Sequence, residues 1–198
     1  MKKIILFLQL IFSIGMSAQT TVESVQVADM DEGAPICGKS IDLHKRILQA
    51  YNCDSTLIVF ACDTTKKGKN TDTGYLYSLD ANTLEVQWQK SLKLSLSKLY
   101  GVCSKGVLLS STLKSTGKSL LTLSDTKTGR SLWTQYLYPV YFNDSLDIVI
   151  GLEKVGGSKT YAYRLSTGML LWDAEIPMTK NVGWKDACMV DSTHLVVV

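Results

Sequence analysis

YLYSLDANTLEVQW, residues Tyr75 to Trp88, decides the reading of the fold, because two further versions of it follow in the chain. LLTLSDTKTGRSLW runs from Leu120 to Trp133, and TYAYRLSTGMLLW from Thr160 to Trp172. Aligned on Trp88, Trp133 and Trp172, each copy carries threonine five residues earlier, at Thr83, Thr128 and Thr167. Two of them follow it with glycine, Gly129 and Gly168. Spacings of 45 and then 39 residues fall in the range of propeller blades. Within a copy, Tyr75, Tyr77 and Leu79 alternate with Leu76, Ser78 and Asp80, which is a strand pattern. The polar segment opened by Asp80, and by Asp125 in the second copy, reads as a tight turn. Short Asp and Thr side chains bond nearby backbone N–H groups there, and Gly takes the positive φ.

A second strand then carries the tryptophan. A ring of that size buries about 150–250 Å², a gross stabilisation of about 4–6 kcal/mol at roughly 25 cal/mol per Å². One such ring per repeat is expected to dock each repeat on the next. Asp-x-x-Thr-Gly-x-x-x-Trp behind a Leu-Tyr-x-Leu strand resembles the pyrroloquinoline-quinone-type β-propeller repeat, over roughly residues 47–198. That family includes quinoprotein dehydrogenases, the outer-membrane assembly lipoprotein and many secreted proteins. The resemblance implies an all-β propeller of four-stranded antiparallel blades. Two departures predict distorted turns. Leu84 stands where Gly is usual, and in the third copy Leu165 and Ser166 stand where the Asp would fall.

At the start of the chain, Lys2 and Lys3 precede a twelve-residue apolar run, Ile4 to Gly15, and small residues at Ser17 and Ala18. This is the pattern of a signal peptide over residues 1–18; the run is too short for the roughly 20 residues that span a bilayer. The expected location is therefore periplasmic or secreted, with no transmembrane segment once the signal is removed. Without Lys2 and Lys3 the formal charge falls from +3 to +1, which gives no global reason to expect nucleic acid. Five cysteines, Cys37, Cys53, Cys62, Cys103 and Cys188, show no C-x-x-C or zinc spacing. The last four fall in apolar strand patterns and read as small buried hydrophobes.

Residues 19–46 are the least legible. Val22, Val25 and Val27 suit a short strand, and MDEGAPICGKS looks like a loop. Leu43, Ile47 and Tyr51 allow a helical turn or two, although a strand fits Ile47 to Asn52 as well. Beyond them the layout is blade one over 47–92, blade two over 98–137, blade three over 140–176 and a partial fourth over 183–198. Asp54-Ser55-Thr56, Asp144-Ser145 and Asp191-Ser192-Thr193 recur as turns between the first and second strands. Propellers close as rings of about four to eight blades, so the expectation is an incomplete arc, part of a longer propeller. The alternative is a small four-bladed ring completed by the N-terminal segment.

Chemistry is sparse. His44 and His194 have no motif partner for nucleophilic or general-base work, Gly156-Gly157 reads as a hairpin turn, and no alternating carboxylates form a calcium loop. No cofactor or metal is expected. Charge placement is more informative. With the four strands of a blade labelled A to D from the central channel outward, the B-to-C and D-to-A connections of an antiparallel blade emerge at one end, and the A-to-B and C-to-D turns at the other. Lys66, Lys67, Lys69, Lys114, Lys118, Lys154 and Lys159 map to or beside B-to-C loops, and Lys90, Lys93, Lys98 and Lys180 to D-to-A connections. Asp54, Asp80, Asp125, Asp144 and Asp191 map to the opposite turns. The expectation is a basic face opposite an acidic rim. The plainer reading is that exposed loops are simply lysine-rich. The functional expectation is a non-catalytic scaffold that binds a protein or an anionic glycan. The alternative is a fragment of a quinoprotein-type dehydrogenase, whose cofactor the resemblance would place in the central channel.

Overall fold

Short apolar runs bounded by turn residues need partners on both faces, and the chain supplies them by stacking sheets. The computed structural model describes residues 22–28, 36–176, 187–189 and 194–197, so the signal-peptide reading lies outside the described residues. These residues form strands and connections only, in two units, residues 1–43 and 44–198.

In the first unit β1 (Val22–Ala28) pairs antiparallel with β2 (Ile36–Ile41), Val22 opposite Ile41. Residues 36–40, expected within a loop, are therefore strand. Pairing with β1 satisfies their backbone groups and overrides the turn preference of Gly38.

The second unit is a β-propeller arc. Blade one comprises β3 (Arg46–Cys53), β4 (Thr56–Thr64), β5 (Asn70–Asp80) and β6 (Val86–Lys93). Blade two comprises β7 (Ser97–Cys103), β8 (Gly106–Thr112), β9 (Ser119–Ser124) and β10 (Ser131–Tyr136). Blade three comprises β11 (Tyr138–Asn143), β12 (Ile148–Leu152), β13 (Lys159–Arg164) and β14 (Leu170–Glu175). A two-stranded sheet follows, β15 (Ala187–Met189) with β16 (Leu195–Val197). In each blade the strands pair in chain order. The helical turn allowed around Leu43 and Ile47 is absent. The chain bends at His44, whose φ is 51°, and enters β3, where the ladder from Arg46–Cys62 to Cys53–Thr56 holds it extended.

Alternation explains why the second strands are apolar over their buried stretches, Ile58–Cys62 in β4, Val107–Leu109 in β8 and Ile148–Leu152 in β12. In β12, Ile148, Ile150 and Leu152 pack with Ala187 of β15, while Val149 points the other way, into a core with Leu108, Leu121, Leu123, Trp133 and Leu165. In β4, Ile58 and Phe60 pack with Leu99 and Val107 of blade two. A strand between two neighbouring blades has two buried faces and no polar one. The fourth strands show the opposite: β14 is exposed along its length. Each blade repeats a register shift between strands one and two (Ile47/Gln49, Leu99/Gly101, Pro139/Tyr141) and another between strands three and four. Such bulges add local twist.

The expected turn distortions do not occur. Leu84 donates its N–H to the Asp80 carbonyl at 2.8 Å, as Gly129 does to Asp125 at 2.9 Å and Gly168 to Arg164 at 2.8 Å. Leu84 makes this bond at φ 62°, beside 68° and 69° for the two glycines, so the departure is absorbed as backbone strain. In the third blade Arg164, rather than Leu165 or Ser166, occupies the Asp position. The lost carboxylate is replaced by Asp147 from the first-to-second-strand turn, which accepts from the Ser166 N–H at 2.7 Å and its hydroxyl at 2.6 Å.

The cysteine expectation holds for Cys62 and Cys103, which are buried, and fails for Cys188, which is exposed; Cys53 is half-buried. In β15 the buried position is Ala187, and the two-residue period turns Cys188 outward. Cys53, Cys62, Cys103 and Cys188 are all free.

Candidate functional site

The repeat residues are tied to one another. Asp80 accepts from the N–H groups of Asn82 and Thr83, both at 2.9 Å, and Asp125 from those of Lys127 and Thr128. The hydroxyls of Thr83, Thr128 and Thr167 each accept from the N–H two residues on, at 3.3–3.4 Å. Trp88 donates its indole N–H to the Thr126 carbonyl and Trp133 to that of Leu165, both at 2.8 Å. A Cβ at Gly129 would lie 2.8 Å from the Trp88 ring, and one at Gly168 2.6 Å from the Trp133 ring. Thus the tryptophan of one blade seats against the glycine turn of the next. Trp172, on the third blade, is 37% exposed.

The aspartates expected to form an acidic rim are largely engaged in bonds from backbone N–H groups. Asp144 accepts from the N–H and hydroxyl of Ser104, at 2.7 and 2.9 Å, and so joins the first turns of blades two and three. Thr128 hydroxyl and N–H hold the Asp125 carboxyl below the usual carboxylate range, with the Lys127 N–H adding. Asp54, at φ 53°, lies in the equivalent turn of blade one. The rim also carries Lys105 and Lys127, so it is mixed in sign. Asp191 lies outside the described residues.

At the opposite end, Lys66, Lys67 and Lys69 lie in the β4–β5 loop, Lys114 and Lys118 in the β8–β9 loop, and Lys154 in the β12–β13 loop. All six are exposed, and none forms a salt bridge with a described residue. Lys118 lies over the Tyr136 ring at 5.6 Å. Lys159 opens β13, lies 5.3 Å over the Tyr161 ring and is 3.9 Å from Asp173. Lys90 and Lys93 lie in β6 and Lys98 in β7; Lys180 lies outside the described residues. The loops and connections at this end are bonded together: Leu94 N–H to the Asp72 carbonyl at 2.9 Å, Leu137 N–H to that of Ser119 at 3.1 Å, and Ile176 N–H to that of Ser158 at 3.0 Å. Asp72 interrupts the positive charge. Its carboxyl is held below the usual range by the Ser95 N–H and hydroxyl, with Lys93 and Lys114 contributing.

Between the first strands of blades two and three, at this same end, opens a cleft of about 250 Å³. The connection Leu94–Leu96, with Ser97 at the start of β7, forms one wall, Tyr138 and Pro139 another, and Ser110, Thr112 and Ser119 stand at the foot of the β8–β9 loop. Lys98 and Tyr100 complete it. Apart from Lys98, these residues do not stand out in the sequence. The only signal was serine and threonine at strand ends, which reads as ordinary loop-proximal polarity.

No protein-family model matches the chain, and no curated protein matches it by sequence. Solved structures resemble it in fold. BamB from Moraxella catarrhalis aligns over 90% of this chain and 61% of its own, at 15% identity and TM-score 0.47. A europium-containing methanol dehydrogenase aligns over 69% of this chain and 33% of its own, at 15% identity and TM-score 0.44. The β-propeller domain of the Trilobed protease from Pyrococcus furiosus aligns over 77% and 52%, at 6% identity and TM-score 0.44. This chain thus spans between 33% and 61% of the length of these three structures.

Proposed function

We propose that the protein is a non-catalytic scaffold of the pyrroloquinoline-quinone-type propeller repeat, acting in the periplasm or outside the cell. It meets an acidic ligand, an anionic glycan or a protein surface, through the end of the blades that carries the β4–β5, β8–β9 and β12–β13 loops. The observation that supports this reading is the placement of Lys66, Lys67, Lys69, Lys114, Lys118 and Lys154 on three successive loops at one end, without carboxylate partners among the described residues. Repeating blades give such charges a common direction, and loops on a rigid frame are the usual carriers of binding. Exposed charges that act together steer an anionic ligand and are screened beyond about 10 Å at 0.1 M salt.

The test is retention on a sulfated-glycan column. The triple variant Lys67→Glu, Lys114→Glu, Lys154→Glu should elute at markedly lower salt than the parent. Equal elution of the two would remove the face from the account. Quinone absorbance in the purified protein, together with dye-linked alcohol oxidation, would replace the scaffold reading with a dehydrogenase.

A further inference from the structure

The cleft between the first strands of blades two and three has a chemistry of its own. Ser119 is only 7% exposed, lines the cleft, and makes no side-chain hydrogen bond to a described residue. A hydroxyl so buried costs free energy unless it finds a partner. The hydroxyls of Ser110 and Thr112, on the strand paired with Ser119 across the Thr112–Ser119 register, likewise make no side-chain hydrogen bond to a described residue. Lys98 adds one ammonium with no ion pair among the described residues, and Tyr138, 37% exposed, adds an aromatic face.

We infer that this cleft binds one carboxylate-bearing sugar residue, a hexuronate unit of an acidic glycan. A serine or threonine hydroxyl both donates and accepts, as sugar hydroxyls do, whereas an ammonium donates and carries a positive charge, which favours a carboxylate over a neutral hydroxyl. Tyrosine offers an apolar body to the C–H face of a pyranose. The volume falls below the roughly 300–1,000 Å³ of drug-sized ligand sites, which limits occupancy to about one ring. A sulfate or phosphate calls for a bidentate fork or several cations, and a single lysine lines this cleft. The inference rests on the glycan form of the proposal above: the loop lysines gather the polymer, and the cleft reads one unit of it.

The test is a titration of the full chain, followed through its backbone amide resonances, with glucuronate, glucose and acetate at constant ionic strength. Glucuronate should shift Ser97, Ser110 and Ser119 saturably. Ser119→Ala should weaken it roughly three- to tenfold, the loss expected for one hydrogen bond. Lys98→Gln should remove the preference over glucose while leaving the amide spectrum folded. Absence of saturable shifts, acetate shifts equal to those of glucuronate, or indifference to Ser119→Ala would each overturn the site. The triple variant Lys67→Glu, Lys114→Glu, Lys154→Glu leaves the cleft residues untouched and separates the two ideas. If it loses column retention while the parent shows no glucuronate shift, the cleft assignment falls and the face stands. Glucuronate binding without column retention by the parent overturns the face and keeps the cleft.

Discussion

Trp133 donates its indole N–H to the carbonyl of Leu165, 2.8 Å away across the boundary between blades two and three. The ring is 9% exposed and lies in a core with Leu108, Leu123 and Val149, so one side chain contributes apolar area, shape and a directed bond to the same junction. Trp133→Ala should therefore cost about 3–5 kcal/mol. Trp133→Phe keeps most of the ring but leaves the Leu165 carbonyl without this donor, and should cost less. Denaturant midpoints check both. Equal losses for the two variants would mean that the bond, rather than the burial, holds the junction.

Leu84 and Gly168 occupy the same turn position with opposite consequences. Leu84 holds φ 62°, where a side chain crowds the following carbonyl at a cost of about 1–2 kcal/mol. Leu84→Gly should raise stability by up to about 1 kcal/mol, since part of the strain relief is offset by the added freedom of the unfolded chain. Gly168→Ala should lower it by at least about 1–3 kcal/mol, because the new Cβ would meet the Trp133 ring at 2.6 Å. Thermal unfolding of the two variants should move in opposite directions.

The fold was legible because the repeat carries its own register. Once Trp88, Trp133 and Trp172 are aligned, alternation and turn residues set the strands between them. β2 was obscured because Gly38 and its neighbours read as loop, and pairing with β1 is a long-range fact. Residues that act across blades were hidden for the same reason. Asp147 serves a turn nineteen residues away, and nothing in its local sequence announces Ser166. The cleft was less legible still. Ser110, Thr112 and Ser119 converge with Tyr138 only once consecutive blades are stacked, whereas the lysines of the β4–β5, β8–β9 and β12–β13 loops could be placed from loop positions alone.

Asp147 offers a direct test of that long-range substitution. Asp147→Ala removes the acceptor for the Ser166 N–H and hydroxyl, and should destabilise by roughly 0.5–2 kcal/mol, the range for losing a comparable capping side chain. Alanine at φ 52° adds backbone strain, and Asp147→Gly separates that contribution. Arg164 stands where blades one and two have Asp80 and Asp125, so Arg164→Asp in the Asp147→Gly background should recover part of the loss. A double-mutant cycle with no coupling between the two positions would mean that the carboxylates do not substitute for each other.

Acid should expose the contribution of two other carboxylates. The Asp125 carboxyl is held below its usual range by the Thr128 hydroxyl and N–H, and that of Asp63 by Lys45, 2.6 Å away, with Tyr75 adding at 2.9 Å. A group whose folded pKa is depressed contributes its full stability above the unfolded value of about 3.9, and loses it as pH falls through the folded value. Stability contributed by these two groups should therefore be level from neutral pH to about 5 and decline below about 4. Asp125→Asn and Asp63→Asn should each be less stable than the parent at pH 7, with the gap closing as pH drops below about 4, because the parent then loses the charge that the variants lack. Denaturant midpoints from pH 7 to pH 2 measure that gap. A gap that stays constant over the whole range would show that these side chains act by shape and neutral hydrogen bonding, with no contribution from their charge.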